Sequence, residues 1–153
     1  MAAETSGHDD EHAAVPAGQS LTMALRERVP FAGQLGVELI DASASSVKAR
    51  LEWTPALSTD VATLHGGALM GLADLCGGIC AGLNLPPGSI GTTTIESKTN
   101  FFRPVRSGHA EAVAEPLHIG RTTMVIQTDV FGPDGRRAAR VIQTQAVLQP
   151  PGP

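Results

Sequence analysis

The feature that most constrains this chain is an 18-residue run of small and apolar side chains, GGALMGLADLCGGICAGL, at residues 66–83. Asp74 is its only charge. The length of the run predicts one α-helix of about 27 Å. Glycines in its interior each weaken a helix by about 1 kcal/mol relative to alanine. Such a helix is stable only where packing compensates, so we expect it to lie close against a sheet or another backbone.

Strand-like alternation lies on both sides of this run. Residues 46–54 alternate Val47, Ala49 and Leu51 with charged neighbours, and the pattern stops at Pro55. Further strands are predicted over residues 36–42, 95–102, 108–119, 122–131 and 136–148, with a hairpin turn at 132–135 and a short helix at 21–29 that ends at Pro30. One long helix among antiparallel strands predicts an α+β fold in which a curved sheet wraps around the helix.

Length, charge and composition exclude several classes of protein. A chain of 153 residues suffices for one domain, which we expect over residues 21–149. The net charge of −4 and the 3% aromatic content disfavour a nucleic-acid binder. The chain has no run of about 18 uncharged apolar residues, so the sequence predicts no membrane span. With only two cysteines the chain cannot form a disulfide framework, so a reducing compartment, the cytoplasm, is expected.

Residues 1–20 are acidic, small and polar, which predicts a disordered tail. The segment has neither the apolar stretch of a secretory signal nor the arginines of a transit peptide. His8, His12 and the acidic residues between them are candidate metal ligands. Nothing in the pattern arranges them around an ion, so we expect solvated side chains there.

The start of the predicted helix, His65-Gly66-Gly67, has the chemistry of an anion site. Helix N-termini present unpaired N–H groups and the positive end of the helix dipole. Two glycines would let a ligand approach the backbone, and the amides of Gly66 and Gly67 could donate to a developing oxyanion. A turn with close packing explains the same glycines equally well, and the residues alone leave both readings open.

Asp74 is the only carboxylate within the apolar helix. A charge so placed needs a partner, so it is either a satisfied polar group or a catalytic one. It lies about 12 Å along the helix axis from Gly66, and one helix cannot bring both groups to one carbonyl. Two antiparallel copies can, which predicts a two-fold dimer with two equivalent composite sites.

Three segments of the chain carry a family resemblance: LHGGALMGLADLCGG, TTTIESKTNFFRPV and HIGRTTMVIQTDVFGPDGRRAARVIQTQAVL. Together they resemble the hotdog-fold thioesterases of the phenylacetate-pathway (PaaI-like) group, over about Phe31 to Leu148. The resemblance implies a curved antiparallel sheet around one long central helix, assembled as homodimers and homotetramers. It also implies hydrolysis of small aryl- or medium-chain acyl-coenzyme A thioesters at the dimer interface, with no metal and no cofactor beyond the coenzyme A of the substrate.

The resemblance also assigns roles to residues. Asp74 corresponds to the catalytic carboxylate, as general base or nucleophile, and Gly66 to the backbone donor that polarises the thioester carbonyl. His65 shapes that end of the site, and Thr94 falls where related enzymes place a hydroxyl that positions the carboxylate or water. One position departs from the pattern, because the family has Asn or Gln six residues before the histidine. Thr59 stands there and offers no amide.

The phosphates of coenzyme A call for cations. Arg103, Arg106 and Arg121 are the candidates, with the Gly67 amide beside them, and Arg121 lies in the family-like HIGR turn. Each arginine taken singly is equally consistent with solvated surface charge. Further arginines are assigned instead to the flanks of the hairpin, namely Arg136, Arg137 and Arg140.

Other readings remain beside the thioesterase. A non-catalytic acyl-CoA-binding hotdog protein is favoured by the Thr59 departure and opposed by Asp74. A hotdog hydratase would pair a histidine with an acid in a motif that is not found here, and a transcription regulator would need a DNA-binding segment. Cys76 and Cys80, one helical turn apart, fit core packing better than a metal site, because two ligands are too few.

Overall fold

A computed structural model describes residues 17–151 of the protein. Apart from one short helix that was not predicted, its helices and strands follow the predicted order along the chain. They are α1 (Ala17–Arg28), α2 (Pro30–Leu35), β1 (Glu38–Ala42), β2 (Val47–Glu52), α3 (Gly66–Leu83), β3 (Gly91–Phe101), β4 (His109–Ile119), β5 (Thr123–Phe131) and β6 (Arg137–Leu148). A 3₁₀ turn at Pro55–Leu57 follows β2. The bounds of α3 are those predicted, while other ends shift by up to four residues.

Helix α1 begins at Ala17, so the last four residues assigned to the tail are helical. The hydroxyl of Thr22 attaches this helix to the sheet. Its Oγ1 accepts a hydrogen bond from the Leu39 N–H at 2.9 Å and donates to the Leu39 carbonyl at 3.3 Å, which ties α1 to β1. Residues 1–16, including His8 and His12, lie outside the described residues, so the metal and disorder predictions for them stay predictions.

Pro30 begins a second helix, which the sequence analysis missed. Proline suits the first position of a helix, because its fixed φ is already helical and the N–H it lacks would have no intrahelical partner. Helix α2 then ends at Gly36, whose φ of 77° lies in the left-handed region.

The six strands form one antiparallel sheet in the order β1-β2-β4-β5-β6-β3. Helix α1 packs against edge strand β1, while β3, at the other edge, pairs with β6 and with no other strand of residues 17–151. The register of β3 on β6 shifts between Thr94 and Glu96. This bulge leaves Ile95 as the extra residue, with a side chain that is 62% exposed.

Helix α3 lies on one face of the sheet and contacts five of its strands, as expected for the core helix of an α+β fold. Its buried stripe consists of Ala68, Leu69, Leu72, Ala73, Cys76, Gly77, Cys80 and Ala81. By length and composition alone α3 would also be able to cross a membrane, since its mean hydropathy is 1.4. Here, however, 44% of its residues are buried against the rest of the chain.

The interior glycines of α3 divide into two pairs. A Cβ on Gly71 would lie 2.9 Å from Leu35, and one on Gly77 would lie 1.6 Å from the side-chain oxygen of Gln143. These two positions confirm the expectation that close packing explains the glycines. Gly78 and Gly82 have no atom within 4 Å of such a Cβ, so no packing within the described chain accounts for them.

Candidate active site

The start of α3 is anchored by the loop before it. Ser58 and Leu64 form an isolated antiparallel bridge, and the His65 N–H donates to the Leu57 carbonyl at 2.8 Å. The Leu64 N–H donates to the carbonyl of Val105 at 2.8 Å, beyond the end of β3. These bonds hold the N-terminus of the helix in one place relative to the sheet.

His65 caps the helix through its own side chain. Its backbone is extended (φ −61°, ψ 139°), and its Nδ1 accepts a hydrogen bond from the Gly67 N–H at 2.9 Å. The ring is therefore the tautomer with its proton on Nε2. The expectation of two free amides is corrected, because the imidazole occupies the Gly67 donor. The Gly66 N–H has no hydrogen-bond partner within residues 17–151 and remains available.

Gly66 lies against an aromatic ring. A Cβ at Gly66 would be 3.1 Å from Cζ of Phe101, the last residue of β3. The ring of Phe101 is itself 51% exposed, so it forms one open side of the helix start. The first residue of α3 thus lies beside a partly exposed apolar surface.

Asp74 lies at the middle of α3 with an exposed side chain. The amide Nε2 of Gln143, on β6, donates to Asp74 Oδ1 at 2.5 Å. The other carboxylate oxygen, Oδ2, has no hydrogen-bond partner among the described residues. One oxygen of the carboxylate is therefore held and the other is free, which is the state a base or nucleophile requires.

Thr94 belongs to a second group of polar side chains next to this one. Its Oγ1 accepts a hydrogen bond from Gln145 Nε2 at 2.8 Å, and the Thr92 hydroxyl donates to Gln145 Oε1 at 3.2 Å. Gln143 and Gln145 point to the same face of β6, since side chains two residues apart share a face. Thr94 and Asp74 are thus each bound to one of two neighbouring glutamines.

The two glutamines were missed by the sequence analysis, although the sequence holds a signal for them. Along β6 the inward-facing positions are Val141, Gln143, Gln145 and Val147, and all four are buried. Glutamine at an inward position of an alternating strand is unusual, because a buried amide must find partners. Reading the alternation for polar residues on the apolar face would have found both.

Thr59 lies in the loop that leads into α3, with its hydroxyl committed locally. Its Oγ1 is 3.0 Å from Oγ1 of Thr63, and its N–H donates to the Thr63 carbonyl at 2.8 Å. The loop thus brings Thr59 to the Gly66 end of the helix rather than to Asp74.

The predicted arginines separate into two groups. Arg103 donates to the Arg137 carbonyl and Arg106 to the Val61 carbonyl, each at 3.0 Å, both at the end of the sheet where α3 begins. With Arg136 they line a cavity of about 290 Å³, so Arg136 joins this group as well as flanking the hairpin. Arg121 follows β4 at the opposite end of the sheet, about 30 Å away along β6. One chain does not bring Arg121 together with the other two.

An apolar cavity of about 640 Å³ opens beside Asp74. It lies between α1 and the second half of α3, with Leu39 and Ala42 of β1 in its lining. The α3 side is lined by Asp74, Leu75, Gly78, Ile79, Gly82 and Leu83. Gly78 and Gly82, the glycines without packing partners, therefore line this cavity, and Arg28 is the cation in its wall.

Known proteins share both the sequence pattern and the fold. A sequence model of the thioesterase superfamily matches residues 62–139, which is just over half of the chain. The chain belongs to the thioesterase superfamily. The matched residues contain the His65 cap, Gly66, Asp74 and Thr94, so the family assignment covers much of the candidate site.

Individual proteins are similar to this chain in sequence. A Pseudomonas aeruginosa protein named "putative esterase" is 35% identical over 85 residues, which are 56% of this chain and 59% of that protein. The 1,4-dihydroxy-2-naphthoyl-CoA hydrolase of Escherichia coli is 34% identical over 85 residues, which are 56% of this chain and 62% of that enzyme. The chain thus spans about three fifths of the length of these two curated relatives.

Solved structures of thioesterases superpose over most of this member of the superfamily. A mutant of the Pseudomonas aeruginosa thioesterase matches with a TM-score of 0.77 at 26% identity, covering 89% of this chain and 96% of that one. A Haemophilus influenzae thioesterase matches with a TM-score of 0.78 at 24% identity, covering 89% and 93%. The predicted hotdog fold is confirmed.

The cysteines of α3 are core residues, as predicted. Cys76 and Cys80 are both free and buried. Burial, with a smaller contribution from Cys80, raises the pKa of the Cys76 thiol to about 12. A thiol held protonated in this way is a poor nucleophile, which agrees with a packing role for Cys76.

Proposed function

We propose that the protein hydrolyses acyl-coenzyme A thioesters of small aryl or medium-chain acids, at two equivalent sites of a homodimer. The observation that carries this proposal is the pairing of two unoccupied groups on one helix, the Gly66 N–H and one carboxylate oxygen of Asp74. Each is suited to one half of a thioester hydrolysis. The reaction needs no metal and no cofactor, because a water, a carboxylate and an amide donor suffice.

Gly66 polarises the thioester. Its N–H lies at the positive end of the α3 dipole and donates to the carbonyl oxygen, on which negative charge develops as the tetrahedral intermediate forms. The neighbouring Gly67 amide cannot share this task while it is bound to His65. His65 therefore acts on the site indirectly, by fixing the first turn of the helix.

Asp74 supplies the attack in one of two ways. As a general base, its free oxygen takes a proton from water while the water oxygen bonds to the acyl carbon, and the coenzyme A thiolate leaves and is protonated. As a nucleophile, it forms a mixed anhydride as the thiolate leaves, and water then hydrolyses the anhydride. A single turnover in H₂¹⁸O that labels Asp74 identifies the nucleophilic route with attack of water on the aspartyl carbonyl, since a general base gains no oxygen from water.

Two chains are needed because Gly66 and Asp74 of one helix lie about 12 Å apart along the axis. The edge strand β3 supports a second copy at this place. It is 11 residues long and, within the described part of the chain, pairs on one side only. It exposes Ile95 and Phe101 by 62% and 51%. An exposed apolar edge of this length is a pairing surface. A copy of the chain that covers it can bring its Asp74 to the Gly66 of the first.

The acyl group of the substrate is assigned to the apolar cavity beside Asp74. A volume of about 640 Å³ lined by leucine, isoleucine, valine and alanine suits an aryl or medium-length alkyl group. The phosphates of coenzyme A are assigned to Arg103, Arg106 and Arg136, whose shared cavity lies near the start of α3. Arg121 can join them only from another chain.

The substitution Asp74→Asn tests the proposed chemistry. We expect it to lower kcat by about 10²- to 10⁴-fold, because the amide neither accepts the proton nor attacks the carbonyl. The measurement is release of coenzyme A, followed with a thiol reagent, from a panel of benzoyl-, phenylacetyl- and medium-chain acyl-CoA thioesters.

The matched control is Asp41→Asn, a carboxylate on β1 that makes no ion pair within residues 17–151. It should turn over at the wild-type rate, and circular dichroism should show all three proteins folded. Wild-type turnover by Asp74→Asn would overturn the assignment. Binding of the thioesters by the wild type without turnover would favour the non-catalytic acyl-CoA-binding protein, the reading that Thr59 keeps open.

A further inference from the structure

Gln143 is a fully buried residue whose amide reaches out of the core to an exposed carboxylate. Its side chain is 0% exposed, and it stands on β6 between Ser97 of β3 and Ile126 of β5. Its Nε2 donates to Asp74 Oδ1 at 2.5 Å. This contact joins β6, which packs beneath α3, to the carboxylate on which the proposed reaction depends.

The arrangement is unfavourable for folding in two respects. Gln143 Oε1 is buried without a hydrogen-bond partner among residues 17–151, and an unpaired buried acceptor is destabilising. The same oxygen lies where a Cβ of residue 77 would be, at 1.6 Å, so the middle of α3 must have a glycine there. Glycine in a helix interior is itself unfavourable relative to alanine. An apolar side chain at position 143 would avoid the first of these penalties.

We infer that Gln143 is a positioning residue for the carboxylate of Asp74, an inference that rests on the proposed hydrolysis. The side chain of an exposed aspartate rotates about two bonds and samples several directions. A hydrogen bond from a buried, tightly packed amide holds Oδ1 and so fixes the plane of the carboxylate. Oδ2, which has no partner, is then directed away from the sheet, toward the side from which a substrate must come.

Gly77 is part of the same arrangement of Gln143 and Asp74. The absence of a Cβ leaves the space that the Gln143 amide occupies beneath the helix, within reach of Asp74. Asp74 and Gly77 lie three residues apart, so they share one side of α3. Glycine at position 77 lowers the helix propensity of α3, but it allows the hydrogen bond that gives the carboxylate one fixed orientation.

The substitution Gln143→Met tests the inference. Methionine has nearly the length of glutamine and removes both the donor and the unpaired acceptor. We expect kcat to fall by about 10- to 100-fold, since a misplaced reacting group costs that much. KM should change less than threefold, because Gln143 is buried and does not touch the substrate. The melting temperature should stay equal or rise.

The matched control is Thr128→Val. Thr128 is also 0% exposed on the inward face of the sheet, and its hydroxyl is likewise unpaired among residues 17–151, so it makes no hydrogen bond to Asp74. We expect the same or a higher melting temperature with wild-type kcat. An effect of Gln143→Met on kcat that Thr128→Val lacks cannot come from the loss of a buried polar atom as such.

A second arm combines Gln143→Met with Asp74→Asn. If Gln143 acts through Asp74, the added substitution leaves the residual rate of Asp74→Asn unchanged within twofold. Equal factors in both backgrounds, or wild-type kcat in Gln143→Met alone, would overturn the inference while leaving the proposed hydrolysis intact. A wild-type protein that hydrolyses none of the thioesters is a different result, because it overturns the proposed function itself.

Discussion

His65 shows how one side chain determines which backbone groups are free. Helix N-termini leave several N–H groups without partners, and a capping side chain normally takes one of them. Here the imidazole takes the Gly67 N–H at 2.9 Å and leaves that of Gly66. The selection of a single amide depends on the ring orientation of one residue, which a motif cannot reveal.

Asp129 gives a second effect at the scale of single residues, on the face of the sheet away from α3. Both of its oxygens accept hydrogen bonds from Arg140 at 2.7 Å, and Arg137 pairs with it at 2.9 Å. Burial acts to raise the pKa of this carboxyl, but the two guanidinium groups outweigh it and hold the pKa below its ordinary value of 3.8. The folded protein therefore stabilises the ionised form of Asp129 more than the unfolded chain does.

The substitution Asp129→Asn should lower the free energy of unfolding by up to about 1 kcal/mol at neutral pH, a modest value because both arginines are more than a third exposed. A depressed pKa stabilises the fold above the unfolded pKa, and this contribution is lost as pH falls through the folded value. The difference between wild type and variant should thus shrink below about pH 4. Urea unfolding at several pH values measures it, and a difference independent of pH would contradict the argument.

At the scale of elements, α3 was predicted with its bounds intact, whereas α2, which Pro30 begins shortly after the end of α1, was missed. Helix α3 is recognisable from the sequence because its 18 residues form one continuous apolar pattern, which can be identified without knowledge of tertiary contacts. Helix α2 has only six residues, too few for any periodicity. Short helices form because their surroundings hold them, so local patterns find them poorly.

The neighbouring glycines of α3 should respond in opposite directions to alanine. Gly77→Ala forces a Cβ to 1.6 Å from the Gln143 oxygen and should lower the free energy of unfolding by about 1–3 kcal/mol. Gly78→Ala meets no atom within 4 Å and should raise it by up to about 1 kcal/mol through helix propensity. Denaturant unfolding of both variants checks this pair. Equal effects of the two substitutions would show that the packing against Gln143 is not what requires Gly77.

At the scale of the whole molecule, the proposed site is complete only when two chains meet. The substitution Gly66→Pro removes the N–H while preserving the helix, because proline fits a first helical position and His65 is already extended. Gly66→Ala is the matched control, since it adds the same Cβ beside Phe101 and keeps the donor. We expect a large loss of kcat in Gly66→Pro and a small one in Gly66→Ala.

Mixing the two inactive proteins tests the sharing of sites between chains. A heterodimer of Asp74→Asn and Gly66→Pro chains has one site with both defects and one with neither. After denaturation and refolding of an equal mixture, about a quarter of the wild-type activity should return, since half of the dimers have one intact site. No recovery, with dimers present by light scattering, would contradict a composite site and place both groups within one chain.

The sequence by itself determined the α3 helix, the succession of strands along the chain, the family, and the two groups proposed for the chemistry, Gly66 and Asp74. These follow from local periodicity and from a compact motif, which neighbouring residues express directly. Only the tertiary structure decided which amide stays free, which oxygen of Asp74 is held, and that Gln143 and Gly77 serve the same contact. Asp74 and Gln143 are 69 residues apart in the chain, and their hydrogen bond exists only because the sheet packs β6 beneath α3.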